Sequence, residues 1–173
     1  MPFTPFHFGP HACVSLPLYR HLDIPIFIGV NVAIDVEPLI AVTYNLDYPL
    51  HGYCHTLLIG GLVGLVFATA AYPFRRLIGR MMASLLLPYT TTWKKMAVSG
   101  VLGAWLHVLF DSILCPEIRP FYPLNGNPFY RVLSPSTVYL ICTACFVPAV
   151  LLYMYVVFIA KRTRQEKVNS GSS

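Results

Sequence analysis

The sequence predicts an all-α, polytopic transmembrane helix bundle of about four spans plus a short N-terminal helix. Three observations lead there. Of 173 residues, 56% are hydrophobic and only 11% are charged, against roughly 25% charged in ordinary soluble domains. Apolar runs of bilayer-crossing length recur along the chain. The basic residues gather between and after those runs: Arg75, Arg76, Arg80, Lys94 and Lys95 in one connection, and Lys161, Arg162, Arg164 and Lys167 in the tail. A net charge of +5 distributed in this way orients a membrane protein and offers no stripe for nucleic acid.

Taken in order, residues 1–10 hold three prolines and are expected not to form regular helix. Pro10 then opens a short helix toward Arg20, half-inserted or packed on the bundle. No cleavable signal peptide is expected, because no basic region precedes an apolar core there. The next run begins near Ile24 and contains Asn31, Asp35 and Glu37, with Pro38 directly after. The residue before a proline is biased away from helical geometry, so a break at Glu37-Pro38 is expected to turn both acids toward one point. Residues 44–53 read as a loop. A span from about Cys54 to Tyr72 carries Gly60, Gly61 and Gly64, which permit close helix approach. The basic 73–96 connection contains an interfacial helix. A further span runs from about Ala97 to Leu114, with Gly100 and Gly103.

Residues 115–135 are a loop rich in proline and aromatics, the latter suited to an interfacial belt. The last span, about Thr137 to Ala160, is long enough to cross. Residues 1–160 thus form one transmembrane domain, and 161–173 a polar tail expected to be disordered. Among the five cysteines, Cys142 and Cys145 form C-x-x-C inside an apolar helix and read as packing residues. The positive-inside rule places the 73–96 connection and the tail in the cytoplasm of a cell (plasma or inner) membrane, and the loops 44–53 and 115–135 outside.

The chemistry lies in two pairs. His51 and His55 stand before one span, His107 and Asp111 near the end of another, each pair four residues apart and so on one face of a helix. Imidazole and carboxylate are ligands for zinc and similar divalent ions. Ionisable groups at membrane depth are costly and call for a reason. The predicted topology brings both pairs to one outward level, together with Asp35 and Glu37, and with His7 if its helix is oriented so. These are more ligands than one tetrahedral ion needs, so one or two ions, or an ion beside a general base, are accommodated. His11 lies four residues from His7, but Gly9-Pro10 is expected to break the link. His21, Asp23 and Asp47 read as interfacial, capping or solvated residues. Arg119 is a candidate for an anionic substrate group. Zincin, nucleophile-elbow and Walker motifs are absent.

At these residues the chain resembles the membrane-bound metal-dependent hydrolases of the YdjM-like type. The matching residues, in order, are Phe6-His7, Asp35-Val36-Glu37-Pro38, His51 through His55-Thr56, His107 through Asp111, and the later Arg119-Pro120-Phe121-Tyr122-Pro123-Leu124. Gly52 departs from the pattern, standing where many relatives carry arginine, and leaves anion binding to Arg119. The resemblance implies hydrolysis by a bound ion, zinc by expectation, of phosphoester or lipid-linked substrates.

Together these readings give an outward-facing, integral-membrane hydrolase working on an amphiphilic substrate drawn from the bilayer. Its expected ligands are His7, His55, His107 and Asp111, with Asp35 and His51 in or next to the set, and Glu37 takes or relays the proton. Two rivals use the same residues. A divalent-ion transporter or channel would bind ions transiently along a path. A membrane scaffold subunit would use the polar groups only to pair helices.

Overall fold

The computed structural model describes residues 5–170, and every regular element in them is helical. The helices are α1 (Pro5–Ser15), α2 (Ile24–Thr43), α3 (Leu57–Ala71), α4 (Arg75–Ser84), α5 (Trp93–Leu114), α6 (Pro135–Ala144) and α7 (Phe146–Ser170). Short 3-10 turns at Tyr53–His55 and Tyr72–Phe74 precede α3 and α4. Four stretches are long and apolar enough to cross a membrane: Ile24–Thr43, Leu57–Ser84, Trp93–Leu114 and Pro135–Thr163. These four spans fit a membrane protein, with α1 as the short extra helix.

The spans begin where the sequence supplies caps. Asp23, Thr56, Thr92 and Ser134 each accept a hydrogen bond from the backbone N–H three residues on, as N-caps do. The helices are inside-out by soluble standards. Leu58, Leu62 and Val66 along α3, and Leu140, Val147, Leu151 and Phe158 along α6 and α7, are exposed. Large contiguous apolar surface of this kind suits lipid and not water.

Helix α5 is the axis of the bundle, packed against α2 and α3, while α1 lies across α2, α5, α6 and α7. Small residues set these distances. A Cβ added at Gly64 would collide with the Gly100 carbonyl, and one at Gly100 with the Gly64 carbonyl, so the α3 and α5 backbones touch directly. At Gly103, a Cβ would meet the Phe27 carbonyl at 2.5 Å, which fixes α2 on α5 in the same way. Below the polar end of the bundle lie two apolar layers. Val30, Ile34 and Ala104 with Val63 and Phe67 form one, and Ile26, Ala68 and Met96 the other.

The structure corrects three sequence expectations about proline. Residues 5–10 are helical, with Pro5 in the first turn, where its missing N–H costs nothing, and Pro10 inside α1. Residues 1–4 lie outside the described residues. Helix α1 ends at Ser15 and not near Arg20. Helix α2 runs through Glu37-Pro38 without a break to Thr43. Each internal proline forfeits one backbone bond, and packing of the surrounding helix outweighs that local cost. Proline does act at the last span, where Pro148 cannot donate to the Ala144 carbonyl and α6 yields to α7 around Cys145. The tail continues α7 as helix to Ser170, and 171–173 lie outside the described residues.

Candidate metal centre

Asp35 and His107 come from the C-terminal halves of α2 and α5, Asp111 from one turn further along α5, and His55 from the 3-10 turn before α3. Their ligand-type atoms lie within 4.8 Å of one another, and all four residues are buried. The local fold explains the convergence. His107 and Asp111 share a helical face. Thr56 caps α3 and its hydroxyl also binds the Tyr53 carbonyl, which turns His55 inward.

The spacing within the cluster is that of ligands around an ion. His107 Nε2 is 3.3 Å from Asp35 Oδ1 and 3.2 Å from Asp111 Oδ2. His55 Nε2 is 3.7 Å from Asp35 Oδ1 and 3.6 Å from Asp111 Oδ2. Two atoms each bound ~2.0–2.2 Å from one tetrahedral ion lie about 3.3–3.6 Å apart. Both Nε2 atoms are buried without a hydrogen-bond partner. A buried polar atom left so is costly, and two of them aimed at two carboxylates make a set that can hold a metal ion.

The far sides of both rings are held in the matching tautomer. Asn31 Nδ2 donates to the Ile28 carbonyl at 2.7 Å, so its Oδ1 must face His107, whose Nδ1–H donates to it at 2.8 Å. In the neutral ring that leaves the lone pair on His107 Nε2. His55 places Nδ1 3.4 Å from Glu37 Oε2, again freeing Nε2 for the cluster. Ligating histidines are oriented by carboxylates and amides in this manner. Burial opposes protonation of His55, but Asp35 and Glu37 outweigh it and raise its pKa. An ion and a proton therefore compete for that nitrogen.

Of the other residues expected in the site, His7 lies at its edge. Its Nε2 is 3.4 Å from the second oxygen of Asp111 and its Nδ1 3.1 Å from His107 Nδ1. Burial, against the pull of Asp111, holds its pKa below the usual histidine value. Glu37 does not face the open centre. Besides His55 it accepts from Tyr48 Oη at 3.0 Å and from the Cys54 N–H at 3.0 Å. Burial, then Glu37, pushes the Cys54 thiol up to about 11. The His11 link is intact because α1 continues through Pro10. Its Nδ1 lies 2.7 Å from the His7 carbonyl and its Nε2 3.0 Å from that of Gly103, pinning α1 to α5.

His51 is separated from His55 in role, although their rings meet edge to face at 4.7 Å between centroids. It sits in the loop before the 3-10 turn, not on a helix, with Nδ1 2.8 Å from Glu117 Oε1. Cys115 completes a second group of three with them. A pocket of about 390 Å³ opens beside this group, lined among others by Tyr48, His51, Glu117, Arg119 and Tyr122. Arg119 also donates to Asn125 Oδ1 at 3.2 Å. Gly52 has a local reason: a Cβ there would collide with the Tyr48 ring and hydroxyl. Tyr122 stacks edge-on to Tyr53 at 5.2 Å, so part of the expected aromatic belt lines the pocket.

Sequence reasoning missed Asn31, Tyr48, Cys115 and Glu117 as parts of the site. Asn31 had a signal, since it lies four residues before Asp35 on the same face of α2. Asp23, read as a cap, is also a buried node at the opposite end of the spans, accepting from Tyr89 at 3.0 Å and from Thr91.

No protein-family model, curated protein or solved structure matches the chain. The YdjM-like resemblance therefore rests on its ordered motifs alone.

Proposed function

We propose that the protein is an integral-membrane, metal-dependent hydrolase for phosphoester or lipid-linked substrates, with its site at the outward end of the bundle. The observation that carries this reading is the pair of orphaned Nε2 atoms of His55 and His107, each facing Asp35 and Asp111 at ligand spacing. Two imidazoles and two carboxylates suit zinc, the expected ion, and other first-row divalent ions. A bound ion of this kind supplies Lewis acidity and lowers the pKa of water from ~15.7 toward ~7.

The chain's own residues take the remaining roles. Asp35, His55, His107 and Asp111 hold the ion. Asn31 and Glu37 fix the rings, and Glu37 is the base nearest to His55 for passing a proton outward. His7 steadies Asp111 through its second oxygen. The pocket beside His51 receives the polar head of the substrate, with Arg119 for an anionic group, while the exposed apolar flanks of α2 and α3 meet its lipid part. Transport has less support, because the apolar layers around Val30, Ile34, Ala104, Ala68 and Met96 separate the cluster from Asp23, the buried acid at the opposite end of the spans.

The test is elemental analysis of the detergent-purified protein beside His55→Ala/Asp111→Ala, followed by a screen of phosphomonoesters, phosphodiesters and lipid phosphates. Bound zinc or manganese in the wild type, lost in a folded variant, with chelator-sensitive hydrolysis, is the expected outcome. A wild type without tightly bound ion or hydrolysis, but with metal flux in proteoliposomes, would replace the hydrolase by a transporter.

A further inference from the structure

We propose that His51, Cys115 and Glu117 form a second divalent-cation site, built on a thiolate, next to the first cluster. It does not require the first cluster to be catalytic. The three ligand-type atoms lie within 4.8 Å of one another. His51 and Cys115 are buried, while Glu117 is partly exposed where the pocket opens. Sulfur, imidazole and carboxylate together suit borderline-soft ions such as zinc, and a coordinated thiol is deprotonated outright by the ion. Three protein ligands beside an open position are the pattern of reactive zinc sites, whereas structural sites are closed by a fourth.

The frame that carries these side chains is tied down on several sides. The Cys115 N–H donates to the Asp111 carbonyl at 2.9 Å, and Asn127 Nδ2 donates to the Cys115 and Ser112 carbonyls at 3.0 and 2.7 Å. The Leu57 N–H donates to the Pro120 carbonyl at 2.8 Å, joining the 115–134 loop to the start of α3. The His51 ring is wedged against His55. A structural histidine–glutamate pair would need only His51 and Glu117. It gives no role to a buried sulfur at the same point, on the residue directly after α5.

The first cluster contains no sulfur, so a sulfur-to-metal charge-transfer band does not report on it, and the Cys115 variant assigns the band to the second site. The full chain in detergent, stripped with chelator, is titrated with Cd²⁺ and followed by ultraviolet absorption and by bound-ion count. The wild type is expected to take up two ions and show the band. Cys115→Ser should lose the band and one ion, and Cys54→Ser neither. Asp111→Asn should lose one ion and keep the band. Glu117→Gln keeps the sulfur and guards against a misfolded Cys115 variant. It should weaken band formation at least about tenfold, the low end even for outer partners of a metal site. A wild type without the band, a band that survives Cys115→Ser, or a band lost in Asp111→Asn while that protein stays folded would each overturn the proposal. The last result would merge the two groups into one site. A wild type that takes up one ion and shows the band would instead count only against the site of the proposed hydrolase.

Discussion

Replacing Asn31 by leucine should weaken metal binding without touching a ligand. Asn31 is fully buried, its amide is pinned by the Ile28 carbonyl, and its Oδ1 accepts the His107 Nδ1–H at 2.8 Å. Leucine keeps the branched outline, with bulkier methyl ends, and removes the acceptor. The His107 ring can then turn by a half-rotation about its Cβ–Cγ bond and present Cε1 where Nε2 had faced Asp35 and Asp111. Populating two ring orientations instead of one costs ~0.4 kcal/mol in binding. Losing a hydrogen bond to a ring that gains positive character on ligation costs about 1.5–3 kcal/mol more. Together these correspond to roughly a 20- to 300-fold rise in Kd, overlapping the 10–100-fold range typical of such partners. A competition titration of zinc against a chromophoric chelator, on wild type and N31L of equal thermal stability, reads this directly. Asn31→Asp retains an acceptor at the same place and should restore most of the affinity. A folded Asn31→Leu protein with a Kd within about threefold of wild type would refute the claim that the amide fixes this ring.

Other consequences follow from the same geometry. Chelation should lower the Tm of the detergent-solubilised protein by about 5–10 °C, because an ion at 100 times its Kd contributes ~2.7 kcal/mol to the folded state. Asp35→Asn/Asp111→Asn should reduce that dependence to the part the second site contributes. Gly52→Ala would displace Tyr48 from Glu37, and Tyr48→Phe would remove the same bond directly. Both should raise the zinc Kd by about threefold to tenfold, in the competition titration. Gly100→Leu forces α5 off the α3 backbone and should cost about 1–3 kcal/mol or more, measured by thermal or denaturant unfolding in mixed micelles. Asp23→Ala should destabilise by a similar amount through the unpaired Tyr89 and Thr91 hydroxyls, yet leave the metal content unchanged, since this acid lies at the opposite end of the spans.

How far the sequence could be read depended on the range of the interaction. The four spans, the helix in the basic connection and the glycine contacts were legible because length, apolarity and small residues act locally or pairwise. His107 and Asp111 were legible because α5 is an uninterrupted helix, and four residues on a helix mean one face. The companion inference for His51 and His55 was not sound. They lie across a loop and a 3-10 turn, and so the two rings diverge into two groups. The prolines misled in the opposite direction. Local rules weigh one lost backbone bond, whereas tertiary packing carries α1 through Pro10 and α2 through Pro38. Cys115 and Glu117 left no periodic signal, because the 115–134 loop is folded by long-range bonds such as Leu57 to Pro120.

The arrangement also explains why two acids can be kept so near the bilayer. Asp35 and Asp111 are buried, and the two imidazoles, where neutral, give them no net positive charge to face. Buried carboxylates without compensation are costly, and protonation of His55, favoured here by Asp35 and Glu37, relieves only part of that cost. A divalent cation balances both carboxylates at once and occupies both orphaned nitrogens. The bonds from Asn31 to His107 and from Glu37 to His55 occupy the Nδ1–H of each ring and leave Nε2 open to an ion or to a second proton. They also aim Nε2 of each ring at one point, where one divalent ion answers both carboxylates and both nitrogens. This is the physical reason to rank the metal centre above a structural polar cluster.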